Sequence, residues 1–276
     1  SEVPIVTAEP PAGVIDDLFA RMRADQPRQD AAPEPESLTE PPPAPPAPPA
    51  LDTIIGERAL EGRDELLENL EAGLARALKR VLGDEQNEVL DTLRRLGPAA
   101  GDAVLPAADA QLAGYRDAAV PWLQQAARAG AGFISDPEIA SGGEAAPAVD
   151  APARALAGEL VDPLRARLIR ALAAGADAND PSVAAESLRS TYRQWKVQQV
   201  EECARHHVLA AFSLGAFVAT PPAASLQWLV DEDGHCPDCD DNALAGPTAK
   251  GEAFPTGQLH PPAHPGCRCL LVPVTA

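Results

Sequence analysis

Apolar residues recur at three- and four-residue steps through much of the chain, the period of helices that bury one face. The earliest such stretch, residues 14 to 24, puts Val14, Ile15, Leu18, Phe19 and Met22 on one side of a short helix. A helix of about three turns is marginal in isolation. Leu67, Leu70, Leu74, Leu78 and Val81 share a face with charges between them, and Gly83 is expected to end that helix. Val89, Leu90, Leu93 and Leu96 make a further face that stops at Gly97-Pro98, which predicts a helical hairpin or bundle arm. From Ala103 to Ile134 the chain is apolar but carries Pro106 and Pro121, so shorter or kinked helices are expected. Residues 135 to 152 read as a loop on Asp136-Pro137, Gly142-Gly143 and Pro147. Leu156, Leu160, Leu164, Leu168 and Leu172 restore the helical period, with Asp162-Pro163 suited to the cap and first turn of a restarted helix. Asn179-Asp180-Pro181-Ser182 opens the longest remaining helix, through Leu188, Tyr192, Trp195, Val200 and Phe212 to Gly215.

After Pro221-Pro222 the period changes to two. Leu226, Trp228 and Val230 share one side of a short strand, Asp231-Glu232-Asp233-Gly234 turns the chain, and Cys267 to Val274 reads as a closing strand. Between them, Asp240 to Pro262 supplies several turns and one apolar plug, Phe254. At the other end, Asp25 to Ala50 has no core-forming pattern and finishes in a proline run. Residues 41–49 in polyproline II would span roughly 28 Å, so the amphipathic residues 14 to 24 read as a docking helix on a stiff tether.

Composition sharpens this picture in three ways. Aromatics are 4% of 276 residues while hydrophobic residues are 45%, so alanine and leucine must fill the core, which favours helix. A net charge of −19 argues against wrapping nucleic acid, which needs a concentrated basic face, and favours protein partners. Arg165, Arg167 and Arg170, or Arg189, Arg193 and Lys196, read as solvated helix faces, with contact to packaged DNA the sharper alternative. The longest apolar run, Val208 to Thr220, is shorter than the roughly 20 residues a membrane span needs. Ser-Glu-Val-Pro at the start lacks a signal-peptide pattern, so the cysteines are expected as metal ligands and not secretory disulfides.

Four of the five cysteines lie in the last sixth, as Cys236-Pro237-Asp238-Cys239 and His264-Pro265-Gly266-Cys267-Arg268-Cys269. A Cys-x-x-Cys knuckle with a second His/Cys group beyond a turn-rich loop is the layout of a closed tetrahedral zinc site. Cys236 and Cys239 are two ligands, and His264, Cys267 and Cys269 compete for the remaining places. His264 with one cysteine and the four-cysteine set both remain open, while His235 and His260 are outside choices. Either set is fully protein-ligated, hence structural and not catalytic. Cys203, His206 and His207 invite a second metal, but no further ligand lies near in sequence, and packing is the plainer reading.

These patterns predict a mainly α protein in three parts. Residues 1–50 form a disordered or extended Pro-rich arm with its docking helix, 51–224 a helical body, and 225–276 a small zinc-stapled α+β module. No His-Glu-x-x-His pair is present, nor the His-x-Glu that a zinc deaminase places before Pro-Cys-x-x-Cys, so no enzyme is expected. The most credible enzyme alternative is a zinc-framed nuclease acting on DNA, which would need a catalytic histidine beside the zinc arms, and His260, between Leu259 and Pro261, is a poor one.

Trp228, the Cys236 to Cys239 knuckle, Gly251, Phe254-Pro255 and Pro262-Ala263-His264-Pro265-Gly266-Cys267-Arg268-Cys269 resemble the C-terminal signature of the phage Mu F-like minor head proteins, the head morphogenesis family. The resemblance covers residues 225 to 273. It implies a minor capsid component acting in head assembly, partnered by the portal and/or the major capsid protein. It also implies a place at the capsid interior or portal vertex, reached from the host cytoplasm, with possible contact with packaged DNA. The acidic charge and short apolar runs predict no specific nucleic-acid binding and no membrane contact. Some members carry a toxin domain after the signature, and none is expected here. A bacterial toxin-delivery relative reusing the module is a third reading.

Overall fold

A computed structural model describes residues 53–134, 148–231 and 236–274. The expected docking helix at 14–24 and the proline tether lie outside the described residues. The body is built from helices α1 (Thr53–Leu96), α2 (Ala108–Ile134), α3 (Asp150–Asp177), α4 (Pro181–Gln194) and α5 (Val200–Ala219). A 3-10 turn, Pro98–Val104, joins α1 to α2, and a single π turn, Trp195–Gln199, runs α4 into α5. The C-terminal part adds strand β1 (Ser225–Leu229), the short helix α6 (Pro237–Leu244), and strands β2 (Thr248–Ala249) and β3 (Leu270–Val274).

The expected break at Gly83 is absent, and α1 runs unbroken for 44 residues. One interior glycine costs a helix only about 1 kcal/mol. The buried stripe of Leu78, Leu82, Val89 and Leu93 continues across it. The helix stops where the sequence predicts, at Gly97, whose φ of 76° suits glycine. Pro121 and Pro163 likewise sit inside helices, so the chain breaks expected at Pro121 and the restart at Asp162-Pro163 are also corrected. For α3 the reason is visible in burial: Leu156, Leu160, Leu164, Leu168 and Leu172 are all at most 2% exposed, on one face spanning the proline. Burying that stripe offsets the roughly 3 kcal/mol of an interior proline. Asp180 caps α4 as its sequence foretold, its side chain accepting from the Ser182 amide at 2.8 Å with Pro181 in the first turn.

Alanine and leucine do fill the core, and glycine sets its closest approach. A Cβ at Gly130 would lie 1.9 Å from the Phe212 carbonyl oxygen, and one at Gly215 1.9 Å from that of Ala127. Helices α2 and α5 therefore cross with backbones nearly touching.

A carboxylate sits within this core. Glu85 of α1 is buried and accepts from Gln111 at 2.8 Å, Tyr192 at 2.8 Å and Tyr115 at 3.1 Å, joining α1, α2 and α4. Arg165 of α3 donates onward to Gln111 at 3.0 Å and to the Pro106 carbonyl at 2.7 Å. Burial raises the Glu85 carboxyl above its ordinary range, against the opposing pull of those hydrogen bonds. Burial and the adjacent carboxylate push both phenols well up.

The sheet has the antiparallel order β2-β1-β3, with Trp228 opposite Leu271 and Leu229 opposite Leu270. Its two faces serve different cores. Leu226, Trp228 and Leu271 pack with Phe254 and the cysteines, whereas Leu270, Leu229 and Val272 pack against the helical core. Phe254 is the plug its position predicted, meeting Trp228 edge-on at 5.0 Å between ring centres. The loop after the first knuckle contains more order than its turn residues imply, since Asp240 to Leu244 belong to α6. Buried Asn242 ties that helix to the loop through Thr256, at 2.9 Å to its hydroxyl and 3.1 Å from its amide.

Two predictions follow from these contacts. Gly215→Ala should lower unfolding free energy by about 1–3 kcal/mol in urea titration, while Gly132→Ala, with nothing within 4 Å of the new Cβ, should be neutral or slightly stabilising. Glu85 holds its proton more tightly in the folded state than in the unfolded one. Its contribution should therefore be fullest below the ordinary value of 4.5 and fall as pH rises through the raised folded value. Glu85→Gln should flatten that slope in melts across pH, and Glu85→Ala should cost about 2–3 kcal/mol by orphaning buried hydroxyls.

Candidate metal centre

Each half of the centre is positioned by a local turn that its own sequence specifies. Cys236 is the N-cap of α6, extended at φ −136° and ψ 167°, with Pro237 opening the helix. The Asp240 amide bonds the Cys236 carbonyl at 3.0 Å. Cys239 thus falls on the first helical turn. On the other side His264-Pro265-Gly266-Cys267 closes a four-residue turn through the Cys267 amide to the His264 carbonyl at 3.1 Å. Proline second and glycine third, the glycine at φ 83°, is the type II pattern. That turn sets His264 and Cys267 side by side.

The five predicted residues come together as two triads that share Cys239. Cys236, Cys239 and His264 form one and Cys239, Cys267 and Cys269 the other, the ligand atoms within each lying within 4.8 Å of one another. The His264 Nε2 is 3.0 Å from the Cys236 sulfur and 3.2 Å from that of Cys239, and the Cys239 and Cys267 sulfurs are 3.8 Å apart. Cys239, Cys267 and Cys269 are at most 3% exposed. His260 joins neither triad and packs instead against Phe217, with ring centres 5.4 Å apart. His235 lies outside the described residues.

Three observations test whether these residues suit a cation. The His264 Nδ1 is 2.8 Å from the Pro265 carbonyl, which can only accept. The proton therefore sits on Nδ1, and the Nε2 lone pair faces the sulfurs, the arrangement a metal-bound imidazole requires. Next, a thiolate is favoured within the group: hydrogen bonding from Cys269, and from the backbone around it, brings Cys267 down to about 5. Burial pushes Cys239 up to about 12, and donating to Cys267 drives Cys269 up as well. The buried indole N–H of Trp228, without a conventional hydrogen-bond partner, acts on Cys269 in the opposite sense and favours its thiolate. A cation would relieve the competition among thiols for the one charge. The donor set could hold a metal ion.

Sequence reasoning missed what anchors this centre to the body. Arg268, between two cysteine candidates, reaches α1 and donates to Asp64 at 2.6 Å and Glu71 at 3.4 Å. Fully buried Arg63 of α1 returns the contact, donating to the Arg268 carbonyl, pairing with Asp64 at 2.8 Å and lying 3.6 Å from Asp231. The available signal was the alternation itself: in an extended Cys-Arg-Cys the arginine must leave on the side opposite both sulfurs. Arg63 carried no such signal, being one of many arginines on helical faces.

No family model matches the chain, and comparisons with characterised proteins and with solved structures return no match.

Arg63→Met should destabilise the fold by about 1–3 kcal/mol, because the Arg268 carbonyl and Asp64 would lose a hydrogen-bond donor. The milder Arg268→Gln should leave the metal content of purified protein unchanged while lowering the melting temperature. Elemental analysis and calorimetry on the same samples separate these effects.

Proposed function

We propose that residues 236–269 hold one structural zinc ion, and that the chain is a non-enzymatic minor head protein whose module presents a fixed surface to the portal and/or major capsid protein. The observation that carries the zinc reading is the donor set: four thiols and one oriented imidazole around Cys239. Mixed sulfur and nitrogen donors suit zinc. Two thiolates on a tetrahedral zinc, at about 2.3 Å each, stand about 3.8 Å apart, which is the Cys239 to Cys267 separation. Five candidates for four places leave no position for a reacting water. When bound, zinc would neutralise the thiolates and supply folding energy to a module with few apolar residues. Cys236 and Cys239 from α6, with two of His264, Cys267 and Cys269, would hold it.

The assembly reading rests on the resemblance of residues 225 to 273 to the head morphogenesis signature. Two features of the body agree with it. Glu61, Glu65 and Glu68 beside Arg268 make an acidic groove on α1 that suits a basic protein surface better than DNA. His260, the residue a nuclease would need, is packed against an aromatic ring. Among the described residues no helix is long and apolar enough to cross a membrane.

Protein purified without added metal and dialysed extensively should retain about one zinc per chain by elemental analysis, and Cys239→Ser should lose it. Intact disulfides with no metal would overturn the zinc reading. Co-expressed with the portal and major capsid proteins of its own particle, the chain should sediment with assembled heads. Exclusion from heads, or magnesium-dependent DNA cleavage abolished by His260→Ala, would overturn the assembly reading.

A further inference from the structure

We propose a second metal site, distinct from the cysteine knuckles, formed by Glu159 of α3 and by Cys203 and His207 of α5, with three protein ligands and one open position. Cys203 and His207 are four residues apart on one helix, so both side chains leave the same face one turn from each other. Nothing near them in sequence completes a site. The fold supplies the third donor: α3 packs beside α5 and brings Glu159 across, with its carboxylate 2.9 Å from the His207 Nε2. The three donor atoms lie within 4.8 Å of one another. Cys203 and His207 are 2% and 7% exposed, whereas Glu159 is open to solvent.

Glu159 also lines a cavity of about 440 Å³ between α5 and the His264–Cys267 turn, walled by Arg205, His206, Leu209 and Arg268 among others. An ion held by sulfur, nitrogen and carboxylate would have this cavity as its entry path and its fourth ligand's space. The buried Nδ1 of His206, which lines the same cavity, has no hydrogen-bond partner. Arg205, Arg268 and Glu202 line the same wall, so it carries both signs of charge. The fourth ligand is water, and the metal a zinc-like divalent ion that exchanges more readily than one caged by four residues.

Cobalt titration of the chelator-stripped full chain tests this, because each thiolate-bound Co(II) adds a sulfur charge-transfer band. Two binding steps are expected. Glu159→Gln, a solvent-facing change that keeps a hydrogen-bond acceptor for His207, should weaken one step by at least roughly tenfold and leave the other unchanged. Cys203→Ala should remove the charge-transfer band of that step, with the metal-free melting temperature checking that the fold survives. Cys239→Ser should abolish only the other step. A single step lost in Cys239→Ser, or two steps both indifferent to Glu159→Gln and Cys203→Ala, would overturn the second site. A single step lost in Cys203→Ala but kept in Cys239→Ser would support it while overturning the zinc knuckle.

Discussion

The alternation of an extended chain between Cys267 and Val272 is the constraint on which the C-terminal half depends. Successive side chains leave on opposite sides, so Cys267, Cys269 and Leu271 face the cysteine-lined core while Arg268, Leu270 and Val272 face the helices. Six residues thus serve two interiors at once. A shift of one position would send both cysteines into the helical core and the arginine among the thiols. The β1 pairing, with Trp228 opposite Leu271, holds the register from the other side of the strand.

This arrangement couples the centre to α1 more tightly than a small module beside a bundle would suggest. Arg63 is fully buried on α1 and bonds the carbonyl of Arg268, while the Arg268 side chain returns to Asp64 and Glu71 on the same helix. Arg63 is the buried member of this group, while Asp64 and Arg268 keep partial contact with solvent. Glu85 follows the same logic deeper in the body, where two tyrosines and a glutamine satisfy a single carboxylate between three helices. Between these polar ties the packing is close and mostly aliphatic, with glycines at the α2 and α5 crossing.

In the proposed function the two donor clusters have opposite characters. The knuckle centre has more ligands than a tetrahedral ion can use, which suits a staple. The Glu159, Cys203 and His207 cluster has fewer and stands beside a cavity, which suits exchange. Both touch the His264–Cys267 turn, one through its ligands and the other through the cavity wall, so that turn is where metal occupancy and body surface meet.

Local chemistry was legible in the residues themselves. Helical faces, the Asp180-Pro181 cap, the stop at Gly97, the strand at Leu226 to Trp228, the Phe254 plug and the five donors of the knuckle all depend on neighbours a few positions away. The breaks expected at Gly83, Pro121 and Pro163 did not occur, because a backbone penalty of a few kcal/mol yields to an apolar stripe buried on both sides of it. Which residues meet across long stretches of sequence was decided only by the packed chain. Arg63 against Arg268, Glu85 among the tyrosines, and Glu159 beside Cys203 and His207 are pairings of ordinary charged residues on helical faces. Nothing in their spacing marks them, since a helix's own sequence states which face it buries but not which helix it will bury that face against.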